Sequence, residues 1–186
     1  MEKNKLFMLM LGCKPKGRHT EQHDIFFGIA TSLKNLIPEL QAFWPEAKDK
    51  LHIDAWREIN YVDGYSVEVI SVADHAVNEP HLFFLNLGGY KPHEFDEPHY
   101  KMLLIAADKA IAIKRAKESA FYLHTGFTGA VSHIDDKYGV DVDDVLDIDD
   151  VLSKQTRKKF RLKFTLTDQH VTDEIHLGYL PLRNIK

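Results

Sequence analysis

Residues 6–30 read LFMLMLGCKPKGRHTEQHDIFFGIA, and residues 82–106 read LFFLNLGGYKPHEFDEPHYKMLLIA. Shifted by 76 positions without a gap, the two stretches share nine of 25 residues, where unrelated segments would share about one or two. The identities are Leu6/Leu82, Phe7/Phe83, Leu9/Leu85, Leu11/Leu87, Gly12/Gly88, Glu21/Glu97, His23/His99, Ile29/Ile105 and Ala30/Ala106. The tripeptide His-Ile-Asp also occurs twice, at residues 52–54 and at residues 133–135. The sequence therefore predicts an internal duplication.

The order of patterns in the first repeat predicts a β-α-β-β unit. Leu6–Leu11 is an unbroken apolar run, typical of a strand that is covered on both faces. Thr20 and Glu21 are typical of a helix N-terminus, and apolar residues at helical spacing follow them. Two alternating segments then flank Asp63-Gly64, a dipeptide that favours a tight hairpin turn.

The second repeat predicts the same β-α-β-β order with additional segments. A strand is expected over 82–87, and a helix from Asp96 to about Ser119. One repeat alone buries little apolar surface, so we expect both repeats to share one core. The predicted fold is α+β, with two β-α-β-β units related by a pseudo-twofold and helices packed on a shared mixed sheet. The first repeat spans 1–75 and the second 76–186, in one compact globular unit.

Composition limits the classes of function. The net charge of -4 over 186 residues argues against a general nucleic-acid binder. No apolar run approaches the roughly 18 residues that a membrane span needs, so no membrane partner is expected. The single cysteine, Cys13, excludes an internal disulfide framework and favours a cytoplasmic location. The sequence leaves homo-oligomer formation open.

The basic loop after the first strand is a candidate anion site. Gly12, Lys14, Gly17 and Arg18 lie in a stretch with the glycine spacing of a phosphate-binding loop. Its detail departs from that motif, because Arg18 and His19 stand where lysine and a hydroxyl residue are needed. At the N-terminus of a helix such a loop would still attract an anion. A small anionic ligand is therefore one expected partner, and a solvated basic turn is the alternative.

A Glu-x-His pair recurs in both repeats, as Glu21/His23 and Glu97/His99. In the predicted helices these residues occupy the first turn, beside the ends of the first strands, where α/β proteins gather ligands. Residues two apart on a helix point about 200° apart, so the two members of a pair should not share one ligand. The alternative is structural, with each histidine mostly buried and bonded to a backbone carbonyl of the preceding loop.

Histidine and aspartate elsewhere supply candidate metal ligands, although no spacing here has the quality of H-E-x-x-H and no metal is predicted. The acidic stretch 135–150 departs from a calcium loop at the fifth and sixth positions counted from Asp141, and it is expected to be a solvated face plus a helix cap. If a metal is bound, the candidate ligands are His23, His52, Asp54, His99, His133 and Asp135.

Three phrases of the first repeat resemble one bacterial family. Gly12–Ala30, HIDAWREI at 52–59 and VDGYSVEV at 62–69 are similar to domain of unknown function 1543. The resemblance is specific over Leu11–Val69 and looser over Leu87–Val151. It implies a bacterial source and two tandem copies, since the domain occurs once or twice per protein. It implies no activity and carries over no catalytic residue.

Two classes of function follow from these patterns. The favoured one is a non-catalytic module that binds a small molecule or anion or interacts with a partner, because no nucleophile, base and orienting group are visible together. The alternative is a small-molecule hydrolase that uses His23, His52, their copies and the acidic residues, either with a general base or with the assistance of a metal. Catalytic residues and cofactors are not assigned by the sequence.

Overall fold

The computed structural model describes residues 2–74, 80–89, 93, 95, 97–124, 141–169 and 171–186. The α+β class is confirmed, with sheets predominating over helices. The chain divides into unit 1, Met1–Ala76 with Leu152–Lys186, and unit 2, Val77–Val151. Residues 152–186, which the sequence-based division placed in the second repeat, therefore group with the first.

The strands and helices have the following bounds. The strands are β1 (Lys5–Cys13), β2 (Gln22–Ala30), β3 (His52–Ile59), β4 (Tyr61–Val62), β5 (Tyr65–Ser71), β6 (His81–Gly88), β7 (His99–Ala106), β8 (Asp141–Asp147), β9 (Phe160–Leu166) and β10 (His176–Pro181). The helices are α1 (Leu33–Phe43), α2 (Lys109–His124), α3 (Ile148–Val151) and α4 (Lys154–Lys159), with 3-10 turns at Pro45–Lys50, Val72–Asp74 and Leu182–Asn184.

Unit 1 contains a four-stranded sheet in the order β10-β3-β1-β2 and a three-stranded sheet in the order β4-β5-β9. The centre of the first sheet is β1, whose residues Phe7, Leu9 and Leu11 are buried against Leu36 and Leu40 of α1. Those two leucines recur four residues apart, so they form one apolar stripe of the helix. One face of β1 thus faces this core, and the opposite face carries Gly12.

Unit 2 contains a three-stranded sheet in the order β7-β6-β8. Leu85 and Leu87 of β6 pack in a core with Ala112 and Ala116 of α2, where small residues let the helix approach the sheet. The alternation of β6 places Gly88 on the face opposite these leucines. No helix in the described part of the chain is long and apolar enough to cross a membrane.

The helices expected to begin near Thr20 and Asp96 are wrong. Residues 22–30 form β2, and residues 99–106 form β7; the helices α1 and α2 start only after each strand ends. Asp96 itself lies outside the described residues. In both segments a polar start is followed by a nearly continuous apolar run, Ile25–Ala30 in β2 and Met102–Ala106 in β7, and nine residues of β2 pair with β1. Tertiary pairing outweighs the local helix-capping signal here.

The shared mixed sheet is also wrong for the described residues. Each of the three sheets lies within one unit, and all their strand pairs are antiparallel. The cause is the same: β1 continues through a loop into an antiparallel partner instead of a crossover helix. The hairpin at Asp63-Gly64 is confirmed, and both residues adopt the left-handed conformation, with φ of 57° and 81°.

Candidate metal centre

Three adjacent strands of unit 1 bring two histidines to one place. Gly12 of β1 pairs with His23 of β2 on one side and with His52 of β3 on the other. Residues directly opposite each other in antiparallel strands point to the same face of the sheet. The backbones of β2 and β3 lie roughly 10 Å apart, two strand spacings. Their imidazole rings can therefore converge over Gly12, which has no side chain between them.

A β-bulge adds a carboxylate to the two histidines. The β1–β3 register shifts after Leu11↔Ile53 to Met10↔Ala55, which leaves Asp54 without a partner in β1. Bulges re-aim side chains and are frequent beside functional sites. A Cβ placed on Gly12 would collide with Asp54 Oδ2 and with His52 Nε2. Both groups therefore occupy the space that this glycine leaves open.

Four donor groups lie above Gly12 and form a ring of pairwise contacts. His52 Nε2 lies 3.0 Å from Glu21 Oε1 and 3.5 Å from Asp54 Oδ1. His23 Nε2 lies 3.3 Å from Asp54 Oδ2 and 3.9 Å from Glu21 Oε2. Glu21 directly precedes β2, and its spacing of two from His23 places both on one face of an extended chain. The sequence-based argument that this pair cannot share a ligand is therefore wrong.

The orientation of the His52 imidazole determines which groups the four donors can bind together. Its side chain is only 5% exposed, and Nδ1 lies 2.9 Å from the carbonyl oxygen of Lys50. A carbonyl only accepts, so Nδ1 is the donor of this hydrogen bond, and Nε2 is the ring nitrogen that faces the carboxylates. Despite the short distance, Nε2 has no hydrogen bond with suitable geometry among the described residues, and neither has Asp54 Oδ2.

Exposure is divided unevenly between the four groups. The side chains of His23 and Glu21 are 45% and 44% exposed, and that of Asp54 is 21% exposed. The expectation that His23 is mostly buried and bonded to backbone is wrong; His52 has those properties instead. His99 is likewise 35% exposed and faces a carboxylate. The ring is thus buried at His52 and open to solvent at His23 and Glu21.

An aromatic residue from the far end of the chain covers part of His52. The ring centroid of Tyr179 lies 4.4 Å from that of His52. Pro181 of β10 pairs with His52, and Tyr179, two residues before Pro181, lies on the same face of the strand. On the other face of β3, Trp56 stacks on His176 with centroids 3.9 Å apart. No local pattern predicted a role for Tyr179, because it is far in the chain from Glu21, His23, His52 and Asp54.

Unit 2 contains a cluster with the same backbone plan. Gly88 of β6 pairs with His99 of β7 and with Asp141 of β8. The β6–β8 register shifts from Asn86↔Asp144 to Leu87↔Val142, so Asp143 is the extra residue of a bulge in β8. A Cβ on Gly88 would collide with Asp143 Oδ2.

The donor atoms of this second cluster are close together. His99 Nε2 lies 3.1 Å from Asp143 Oδ2. Glu97, His99 and Asp143 each contribute one donor atom, and all three atoms lie within 4.8 Å of one another. Asp143 was missed because it belongs to the stretch interpreted as a solvated face. His133 and Asp135, the expected counterparts of His52 and Asp54, lie outside the described residues.

A third group of donors has a structural explanation. His81, Asp147 and Asp149 also place donor atoms within 4.8 Å of one another. Asp147 Oδ2 lies 2.7 Å from His81 Nδ1, and Asp147 Oδ1 accepts a hydrogen bond from the backbone N–H of Asp149. Asp147 thereby starts α3 and fixes His81.

The predicted anion loop has a different geometry from the one expected. Residues 14–21 connect two antiparallel strands and do not precede a helix. The N–H of Arg18 donates to the carbonyl of Pro15, and Gly17 has φ of 85°, as in a type II turn. Lys14, Gly17 and Arg18 take no part in the contacts described for the ring, while Gly12 lies at its centre.

Comparisons with known proteins bear on the same residues. Residues 18–69 match the family model described as Domain of Unknown Function (DUF1543). The matched segment includes Glu21, His23, His52 and Asp54, and it covers one copy of the domain. Nearly the whole chain is similar to the crystal structure of a protein Il1583 from Idiomarina loihiensis, with a TM-score of 0.63 and 22% identity. That likeness covers 96% of this chain and 98% of the other and shows the fold alone. None of the curated proteins matches the sequence.

Proposed function

We propose that this protein binds a divalent metal ion and that Glu21, His23, His52 and Asp54 of unit 1 are its ligands. The observation that carries the proposal is the buried Nε2 of His52, which lies 3.0 Å from Glu21 Oε1 without an aligned hydrogen bond. A ring nitrogen and a carboxylate oxygen at that separation can both serve as ligands of one cation.

The donor set fits a first-row transition metal. Two imidazole nitrogens and two carboxylate oxygens suit zinc, iron, cobalt or manganese. The bond from His52 Nδ1 to the Lys50 carbonyl is the outer contact that fixes the orientation of a metal-binding histidine. Gly12 supplies the space, since a side chain there would displace two of the four ligands.

Zinc titration of chelator-treated protein by calorimetry tests the proposal. Substitution His23→Gln is expected to weaken zinc binding at unit 1 by more than about tenfold, because even outer contacts of a metal ligand contribute that much. His23 is at the surface, so folding should be preserved, and His52→Gln is the second variant. The matched control is His19→Gln, which changes an exposed histidine of the neighbouring loop. Equal zinc affinity in wild type, His23→Gln and His52→Gln would refute the proposal.

A metal-assisted hydrolase is the second candidate function. Its support is the partial exposure of His23 and Glu21, which leaves one side of the ring accessible to water and substrate. A metal ion there would lower the pKa of a bound water and supply a nucleophile. Hydrolysis of phosphate-ester, carboxyl-ester and amide model substrates, lost in His23→Gln and with chelator, would support this function.

A non-catalytic binding module uses the same site differently. The ring is acidic by itself, but a bound divalent ion with a free position would accept a small anionic ligand. Calorimetry with inorganic phosphate, with and without zinc, separates the two functions. Zinc-dependent binding without turnover of any model substrate would favour the module.

We also propose that the two units arose by tandem duplication. The support is the 76-residue offset shared by Gly12 and Gly88, by His23 and His99, and by the two register shifts. A pseudo-twofold relation, a bacterial source and a cytoplasmic location remain predictions of the sequence. A buried, unpaired Cys13 is consistent with that location.

A further inference from the structure

We propose that unit 2 holds a second divalent cation at Glu97, His99 and Asp143, and that this site prefers a harder ion than the site of unit 1. The inference extends the proposed function to residues that the matched family segment does not cover. Manganese and magnesium are the expected ions, whereas unit 1 should prefer zinc.

The backbone prepares this second site as it does the first. Gly88 is flanked by His99 on β7, and the bulge in β8 brings Asp143 over the glycine. A spacing of two places Glu97 on the same face as His99. Three donors from three chain segments thus meet within 4.8 Å around a residue that leaves room for them.

Two equivalent positions differ between the units, and both have an oxygen-containing side chain in unit 2. The position that pairs with the central glycine is His52 in unit 1 and Asp141 in unit 2. The residue two before the glycine, on the same face of the strand, is Met10 in unit 1 and Asn86 in unit 2. At these two positions the sequence of unit 2 has an acidic residue and an amide where unit 1 has an imidazole and a thioether, and manganese and magnesium prefer oxygen ligands.

Asn86 gives an independent sign of a missing ligand. Its Nδ2 donates to Asp144 Oδ2 at 3.2 Å. The amide therefore lies on the face of the sheet that carries Gly88 and Asp143. Its Oδ1 is closed to solvent and has no hydrogen-bond partner among the described residues. A buried amide oxygen without a partner is costly, and a cation bound beside Gly88 would satisfy it.

Manganese is the probe, because its paramagnetism broadens the NMR signals of nearby amides. In the full chain, freed of metal by chelator, sub-stoichiometric Mn²⁺ is expected to broaden the amide signals around Gly88 and His99 first. Asp143→Asn should weaken that effect by about tenfold or more. Glu118→Gln, the same change of charge on the exposed face of α2, should leave it intact.

Measuring zinc affinity in the same variants distinguishes failure of the unit 2 site from failure of the unit 1 site. Asp143→Asn should retain the zinc affinity that His23→Gln removes, whereas His23→Gln should retain the manganese effect near Gly88. Broadening confined to the amides around Gly12, or broadening at Gly88 that is unchanged in Asp143→Asn, would overturn the second site and leave the first standing. If both His23→Gln and Asp143→Asn keep wild-type zinc affinity, the first site is overturned and the second is unaffected.

Discussion

The four donors of unit 1 depend on one residue that contributes no donor. Gly12 adopts ordinary extended backbone, so its role is the absence of a side chain and not an unusual φ. The space above it holds Asp54 Oδ2 and His52 Nε2, and the same relation holds between Gly88 and Asp143. The sequence contained this information as an identity at the same offset, but it could not show what each glycine accommodates.

Gly12→Ala should impair metal binding at unit 1 and destabilise the protein. The new methyl group must displace His52, which is buried, or Asp54, so a cost of about 1–3 kcal/mol is expected, as for other overpacked positions. Calorimetry with zinc and urea denaturation measure the two effects. Gly88→Ala is the reciprocal control, because it should spare zinc binding at unit 1. An alanine variant with unchanged zinc affinity would contradict the proposed ring.

Cys13 should react slowly with thiol reagents. Burial raises the pKa of its thiol above the ordinary value, and the reactive thiolate is therefore scarce near neutral pH. Because the folded-state pKa is raised, stability from this group is complete below the unfolded pKa and declines as the pH rises above it. Labelling with a chromogenic disulfide at pH 8, in buffer and in urea, is the measurement. Equal labelling rates in both would show that the thiol is accessible.

At the scale of elements, the sequence predicted the segments whose signals are local. The strands β1, β3 and β5 and the Asp63-Gly64 turn have strong patterns of their own and are confirmed. The strands β2 and β7 were assigned to helices, because their polar starts resemble helix caps and only pairing with β1 or β6 decides between the two structures. That error reversed the geometry of Glu21 and His23, from divergent on a helix to convergent on a strand.

The sequence named residues that the structure brings together, but it did not predict their arrangement. Histidines 23 and 52 and Asp54 were named from a repeated pattern, and the structure brings them together with Glu21. The equivalent of Asp54 was sought at Asp135, by identity of the flanking residues, whereas register places Asp143 there. Strand register depends on partners distant in the chain, and a single sequence does not specify them.

The loop between β1 and β2 should bind no anion in the metal-free protein. Lys14 and Arg18 are exposed beside a turn, and no helix dipole adds to their charge because residues 22–30 form a strand. Titration with millimolar phosphate should therefore leave the NMR signals of the Gly17–Glu21 amides unshifted. Saturable shifts at those amides would restore the anion site predicted from the sequence.

At the scale of the whole molecule, the two units combine one backbone plan with different donors. Unit 1 encloses its core between a four-stranded sheet and α1, and unit 2 between three strands and α2. Each proposed site lies on the face opposite its core, at the end of a central strand. A change of ligand there leaves the buried leucines untouched, so the two sites can differ in chemistry without a change of fold.

Metal ions should raise the melting temperature in a pH-dependent manner. At a zinc concentration of about 100 times Kd the folded state gains about 2.7 kcal/mol, which corresponds to several degrees for a chain of this size. Imidazole binds metal only when unprotonated, so the gain should shrink as the solution is acidified. Calorimetric melting with zinc and with chelator across that range is the measurement. A zinc effect that is constant with pH, or equal in His23→Gln, would exclude the histidines as ligands.

The stack of Trp56 on His176 gives the protein a built-in optical signal. The chain has two tryptophans, and a Trp44→Phe variant would leave Trp56 as the sole emitter. Its indole lies 3.9 Å from an imidazole and nearly parallel to it, close enough for the histidine to quench its fluorescence. β10 carries both this quencher and Tyr179, which covers His52. Detachment of β10 would remove His176 from Trp56 and Tyr179 from His52 together. An increase in Trp56 fluorescence would therefore report that His52 has been uncovered, without any added label.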